Sequence, residues 1–307
     1  MFTHTSTQVS SHVSRRGFLQ RSAAMAGMVA LARVPLLRGA SNGYQIGCYT
    51  RPWDQFDYRV ALDGMAEAGY KYAGLMTHKG KSWVIVTTDT TPEEAAAMGE
   101  EVRRRGLELI SIYVGNFPVQ KSVEAGIEGL KRLIDNCAAA RCSRVMVSGT
   151  DKPELVEPYF KVVSECCDYA AAKKMSLSVK PHGGSNATAA QCRKIIEMVG
   201  KKNFGMWYDP GNIFFYSGGK IDPVNDVPDA HGLIAGMSIK DFKPPKEVMV
   251  TPGTGQVNFR EVLARAKKGG FKRGPLIVEC LDRGDSAAKI TAEARKTREF
   301  LETLVRG

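Results

Sequence analysis

Three charged side chains stand where short strand-like runs of this sequence end. Lys180 follows Ser-Leu-Ser-Val, Asp209 follows Met-Trp-Tyr, and Glu279 follows Leu-Ile-Val. An ammonium group between two carboxylates can hold them in position and stabilise negative charge that develops on a substrate oxygen. The carboxylates can in turn accept and return a proton. These residue types therefore predict proton-transfer chemistry, with Lys180, Asp209 and Glu279 as catalytic residues, if the three run ends converge.

Two other interpretations of Lys180 compete with this electrostatic role. A Schiff base with a carbonyl substrate requires a neutral amine, but two nearby carboxylates favour the ammonium form and should raise the pKa of the lysine. The second alternative is a buried ion pair in a protein that has lost catalysis. We favour the ammonium role, and the buried ion pair stays open as the alternative.

The elements that carry these residues alternate between strand and helix patterns from residue 42 to the end of the chain. The predicted strands are Tyr44–Tyr49, Lys71–Met76, Leu107–Val114, Arg144–Val147, Ser176–Lys180, Phe204–Tyr208, Leu233–Ile239 and Pro275–Cys280. Amphipathic helices are predicted between them, except that Pro210–Gly232 indicates an irregular, aromatic segment. A doubly wound sheet would need a glycine-rich phosphate turn after an early strand, and the sequence has none. Eight strand–helix units predict a single-domain (β/α)8 TIM barrel over residues 42–307, with its chemistry at the C-terminal strand ends.

Four sequence motifs make the chain similar to a known family. They are Asp-Pro-Gly-Asn from Asp209, Ser-Ile-Lys-Asp from Ser238, Gly-Thr-Gly-Gln-Val-Asn-Phe from Gly253, and Val-Glu at Glu279. Together with the predicted barrel they resemble the xylose-isomerase-like superfamily of sugar-phosphate isomerases and epimerases, over nearly the whole chain after the leader. The resemblance implies sugar chemistry through an enediolate. In that family a Glu, an Asp, a His and a Glu on strands five to eight usually hold a divalent metal.

This sequence departs from the family pattern at two of the four ligand positions. Asp209 and Glu279 match, whereas Lys180 replaces the fifth-strand Glu and Ser238 replaces the seventh-strand His. Each change removes a ligand, and a lysine repels a cation. Mn, Mg or Zn is therefore disfavoured. If a metal binds, the predicted ligands are Asp209, Glu279 and His182.

Further polar residues near the strand ends are predicted to bind the substrate. They are His182, Asn212, Ser238, Lys240, His78 and Tyr113. His182 precedes two glycines, which let the backbone approach a ligand closely. Aromatic rings can stack on a sugar face, and the candidates are Trp53, Trp207, Tyr208, Phe214, Phe215 and Tyr216. Outward-facing core packing suits Trp207 equally well.

The resemblance and the altered site together predict an isomerase or epimerase that acts on a sugar by proton abstraction. A free or oxidised sugar is favoured over a phosphorylated one, because the sequence shows no basic phosphate clamp. Two alternatives stay open: a catalytically inactive carbohydrate-binding barrel, and a lyase or hydrolase that acts on keto-glycosides.

The N-terminal residues 1–41 predict a twin-arginine leader. Arg15 and Arg16 precede Gly-Phe-Leu, and the apolar run Ala23–Ala32 that follows is too short to span a bilayer. The motif predicts export, with the twin-arginine machinery as a partner and the periplasm or another exported location as the destination. No segment predicts a stable membrane span.

Composition and charge limit the remaining classes of protein. The chain has 307 residues, of which 43% are hydrophobic and 24% charged, which is typical of a globular domain. The net charge of +11 falls to +6 without the five leader arginines, and the remaining basic residues alternate with acids on predicted helices. We therefore expect no nucleic-acid groove. The seven cysteines show no paired metal-binding spacing and predict buried thiols.

Overall fold

The structure, a computed structural model, is a closed parallel barrel. It describes Met1 and residues 43–306, so the predicted leader and twin-arginine motif lie outside the described residues. The strands are β1 Tyr44–Tyr49, β2 Tyr72–Leu75, β3 Glu108–Tyr113, β4 Arg144–Val147, β5 Ser176–Val179, β6 Phe204–Tyr208, β7 Ile234–Ile239 and β8 Gly274–Val278. Each strand pairs with the next, and β8 pairs with β1. The predicted TIM barrel is confirmed.

Helices on the outside connect the strands. They are α1 Tyr58–Glu67, α2 Pro92–Arg104, α3 Val123–Ala139, α4 Val156–Ala172, α5 Ala189–Val199, α6 Pro210–Ser217, α7 Pro223–Asp226, α8 Phe259–Lys268 and α9 Ala287–Arg306. The predicted capping box at the start of α2 is confirmed, because Thr91 and Glu94 each accept a backbone N–H from the other. The prediction that Pro210–Gly232 is irregular is wrong, since α6 and α7 lie within it. None of the described helices is long and apolar enough to cross a membrane.

The apolar core has two parts, one inside the barrel and one between the barrel and its helices. The lumen is filled by Tyr49, Met76, Ile110, Met146, Trp207 and Ile277. The interpretation of Trp207 as outward-facing is therefore wrong. Its ring lies so close to Gly236 of β7 that a Cβ there would be 2.4 Å from the indole. The packed lumen forms a floor beneath the C-terminal strand ends. All seven cysteines are buried and free, as predicted.

Candidate functional site

Two lysines and two carboxylates meet at the C-terminal end of the barrel. Lys180 Nζ lies 2.5 Å from Glu279 Oε2 and 2.9 Å from Asp209 Oδ2. Lys240 Nζ lies 2.9 Å from Glu279 Oε1 and 3.8 Å from Asp209 Oδ2. Each of these four residues is at most 4% exposed. The convergence of Lys180, Asp209 and Glu279 agrees with the prediction that the chemistry lies at the C-terminal strand ends. The direct contact of Lys240 with Glu279 is an addition to it.

The Asp-Pro-Gly-Asn segment positions the Asp209 carboxylate. Asp209 is the N-cap of α6, and its Oδ1 accepts the Asn212 backbone N–H at 2.9 Å. Pro210 occupies the first helical turn, where a missing N–H costs nothing. Gly211 allows close approach of β7, since a Cβ there would lie 2.7 Å from the Lys240 carbonyl oxygen. The motif thus fixes a helix start, a carboxylate and a lysine together.

Asn212 and Ser238 complete the hydrogen bonds of the two lysines and Glu279. The Asn212 side chain accepts from Lys240 Nζ at 2.8 Å and donates to the Pro181 carbonyl at 2.7 Å. Ser238 Oγ donates to Glu279 Oε2 at 2.7 Å and accepts from the Trp207 indole at 3.2 Å. Both oxygens of Glu279 are therefore occupied. Asp209 Oδ2 differs, because it has no hydrogen-bond partner among the described residues beyond its ion contact with Lys180.

Contacts between the lysines and the carboxylates keep Lys180 and Glu279 in their charged forms. Burial disfavours the charged form of Lys180, but Asp209 and Glu279 outweigh it and raise the pKa of the ammonium. Burial likewise opposes ionisation of Glu279, and Lys180 with Lys240 holds the pKa of that carboxyl well below its usual range. Lys180 is thus an ammonium group at neutral pH. It is suited to stabilising an oxyanion and unsuited to forming a Schiff base.

A cavity of about 620 Å³ opens over the ends of β3, β4 and β5. None of the four charged residues lines it, and the link to them is His182, two residues after Lys180. Tyr113, Asn116, His182 and Tyr216 are among its lining residues. The His182 ring packs 5.4 Å from the Tyr216 ring. Burial, followed by the charges of Lys180 and Lys240, lowers the pKa of His182 to about 3. His182 is therefore neutral near pH 7, where it can exchange hydrogen bonds with a ligand but carries no charge.

Several predicted site residues lie elsewhere. His78 packs edge-on against Tyr58 of α1, at 5.8 Å, and does not line the cavity. Trp53, Trp207 and Tyr208 are fully buried, so none of them presents a face to a sugar. Among the aromatic candidates Tyr216 lines the cavity, whereas Phe214 is buried.

The sequence places Arg51 just beyond a strand end, where chemistry is expected, but assigns it no role. Arg51 follows β1, and its charge acts on Glu279 and His182. Its position just beyond a strand end was the available signal.

The donor set does not fit a divalent metal. The Lys180 ammonium contacts both carboxylates that would serve as ligands, and Ser238 supplies a hydroxyl where a stronger ligand is needed. His182 does not complete a set either, since within residues 43–306 no three His, Cys, Asp or Glu side chains are grouped to hold an ion. The alternative ligand set of Asp209, Glu279 and His182 is therefore not formed.

Comparisons with known proteins agree with the barrel architecture. A family model described as a xylose isomerase-like TIM barrel matches residues 62–304. Among solved structures, D-psicose 3-epimerase in the presence of D-fructose is 15% identical, with a TM-score of 0.69 over 86% of this chain and 100% of that one. A 3-keto-D-glucoside 4-epimerase from E. coli is 14% identical, with a TM-score of 0.60 over 85% and 99%.

A xylose isomerase domain protein from Planctomyces limnophilus is 18% identical, with a TM-score of 0.65 over 85% of this chain and 97% of that one. A comparison with curated protein sequences found no match. At these identities the likeness to solved structures establishes the fold alone.

Proposed function

Because this chain belongs to the xylose isomerase-like TIM-barrel family, we propose that it is a sugar isomerase or epimerase in which Lys180 takes over the charge-stabilising task of a metal. One observation carries the proposal: the Lys180 ammonium lies 2.5 Å from Glu279 and 2.9 Å from Asp209 at the C-terminal end of the barrel. The names of similar structures include a D-psicose epimerase and a 3-keto-D-glucoside epimerase, which supports a free or oxidised sugar as substrate.

The contacts assign different tasks to the two carboxylates. Glu279 has both oxygens engaged, so it holds the two lysines in place. Asp209 Oδ2 contacts Lys180 Nζ at 2.9 Å and accepts no other hydrogen bond within residues 43–306, which leaves a lone pair for a proton. In the proposed reaction Asp209 removes the proton from the carbon next to the sugar carbonyl, and the electron pair moves to the carbonyl oxygen. Return of the proton to a carbon of the enediolate gives the isomer or epimer.

The lysines act on the oxygen that becomes negative. Lys180 Nζ and Lys240 Nζ are fixed by their carboxylates before substrate binds, so little reorganisation is needed as the charge develops. His182 is neutral and lines the cavity, so it hydrogen-bonds a substrate hydroxyl. Because its pKa is about 3, we expect no change in turnover from His182 titration between pH 5 and 8.

A second candidate function is a carbohydrate-binding barrel without catalysis. The observation that favours it is the burial of the four charged residues, which satisfy one another and are almost inaccessible to solvent. Such a cluster can serve the fold alone.

Solvent exchange distinguishes the two functions. We expect the purified protein in D₂O to place deuterium on carbon in at least one member of a panel of ketoses, aldoses and 3-keto-glycosides, because the abstracted proton exchanges with solvent. Mass spectrometry of the recovered sugar measures the exchange. Saturable binding of a sugar without deuterium uptake would favour the silent barrel and contradict the enzyme.

We propose further that the protein is exported by the twin-arginine route, as the motif at Arg15 and Arg16 predicts. Changing both arginines to lysine should retain the uncleaved protein in the cytoplasm. Cell fractionation measures this, with a Lys201→Met variant as a control for charge changes elsewhere. Unchanged delivery of the double-lysine variant would refute the proposal.

A further inference from the structure

Arg51 is a third cation at the strand ends, and it lacks a carboxylate partner. It opens the turn Arg51–Trp53 after β1 and lies close enough to Glu279 for the two charges to interact. No carboxylate of residues 43–306 forms an ion pair with its guanidinium, and its buried Nε has no hydrogen-bond partner in that range. The nearby Asp54 carboxylate instead pairs with Arg283 at 3.5 Å. Arg51 therefore retains donors for a ligand.

The Trp83 indole lies near this guanidinium. Arg51 Cζ lies 5.6 Å from the centre of the indole, and Trp83 is 53% exposed. The indole lies in the loop after β2, next to an antiparallel β-bridge between Thr77 and Val84. The indole thus restricts the space around the guanidinium, whose planar set of N–H donors matches the two oxygens of a carboxylate.

The charges at the strand ends do not balance without a ligand. Lys180 and Lys240 are offset by Asp209 and Glu279, so this group of four is neutral. Asp241 does not serve Arg51, because its carboxylate accepts the backbone N–H groups of Phe242, Gly253, Gly255 and Val257. Arg51 is thus a single unmatched positive charge in a partly buried position, which an anion of charge −1 would complete.

We propose that the substrate is a sugar acid and that Arg51 binds its carboxylate, while the sugar carbonyl lies at Lys180. This rests on the proposed function and narrows it, from free or oxidised sugars to those with a carboxylate. Arginine distinguishes a carboxylate from a hydroxyl, because a carboxylate accepts two parallel hydrogen bonds from the guanidinium. A neutral sugar would leave Arg51 unpaired.

The test measures binding of matched acid and neutral sugars by calorimetry. D-glucuronate is compared with D-glucose, and D-galacturonate with D-galactose. We expect the wild-type protein to bind at least one acid at least about tenfold more tightly than its neutral partner. Arg51→Gln should remove this preference, and Arg51→Lys should keep part of it. Arg104→Gln, which removes an exposed arginine that pairs with Glu101 on α2, should leave the preference unchanged.

The outcomes separate this inference from the proposed function. Equal binding of acid and neutral sugars, a preference that survives in Arg51→Gln, or no binding of either class would overturn the carboxylate site. Solvent deuterium on a neutral sugar alone would overturn it while the proposed isomerase or epimerase remained. Acid-selective binding without any deuterium exchange would support the Arg51 site and contradict catalysis. A thermal melt of Arg51→Lys confirms that the site is tested in folded protein.

Discussion

Replacing Lys180 by methionine should reduce solvent-deuterium exchange by about 10²–10³-fold. The ammonium contacts both Asp209 and Glu279, and its removal leaves Lys240 as the one lysine of this cluster that can stabilise the developing oxyanion. The measurement is the exchange rate by mass spectrometry in the presence of the best sugar of the panel. Lys201→Met, which breaks an exposed ion pair with Asp168, is the matched control and should exchange at the wild-type rate.

A loss of stability must be separated from this loss of activity. Removing one partner of a buried ion pair costs about 3–5 kcal/mol, because the carboxylates lose compensation. Lys180→Met combined with Glu279→Gln leaves Asp209 and Lys240 as a balanced pair, so the double variant should recover stability without recovering exchange. Recovery of exchange in this double variant would show that Lys180 serves only to neutralise the carboxylates.

The same contacts determine how acid affects stability. In the folded protein the pKa of Glu279 is lowered, so this group stabilises the fold above its ordinary value near 4.3 and the contribution is lost as pH falls through the lower folded value. Lys180→Met weakens the cause of that shift. The acid-unfolding midpoint of Lys180→Met should therefore move to higher pH than in the wild type, as followed by circular dichroism.

The second large effect is a gain of metal binding. Lys180→Glu together with Ser238→His adds two ligand types beside Asp209 and Glu279, at the two positions where the sequence motifs predict a departure from the family's metal site. We expect the double variant to bind Mn²⁺ at least about 100-fold, or about 3 kcal/mol, more tightly than the wild type. Lys180→Glu alone should instead suffer repulsion among three carboxylates.

Calorimetric titration of Mn²⁺ into the wild type, both single variants and the double variant tests this. Neither single change should give the affinity of the pair, since each adds only one ligand. Equal affinity of the wild type and the double variant would mean that the four strand ends do not form a metal-sized site.

The alternation of side chains along a strand was enough to predict that Lys180, Asp209 and Glu279 meet. Alternate residues of a strand share a face, and the barrel brings the C-terminal ends of β5, β6 and β8 together, so Lys180, Asp209 and Glu279 could be placed from their positions alone. Trp207 is two residues before Asp209, so its side chain lies on the same face and therefore in the lumen. The sequence interpretation overlooked this.

Other features depended on details that periodicity does not encode. The helix α6 was missed because Ile213–Tyr216 is apolar on consecutive residues, with no amphipathic period, although Asp-Pro is a helix-start signal. The reach of Lys240 to Glu279 depends on the missing side chain of Gly211 and on the pairing of β7 with β8. The contact of Arg51 with Trp83 joins two loops, and loop conformations do not follow from residue patterns.

The most direct test of the central claim is solvent-deuterium exchange by protein treated with chelator and checked by elemental analysis. If the Lys180 ammonium performs the metal's task, the treated wild type exchanges deuterium into its sugar at the untreated rate, and added Mn²⁺, Mg²⁺ or Zn²⁺ does not increase it. Exchange that disappears with the chelator and returns with one of these ions would contradict the account.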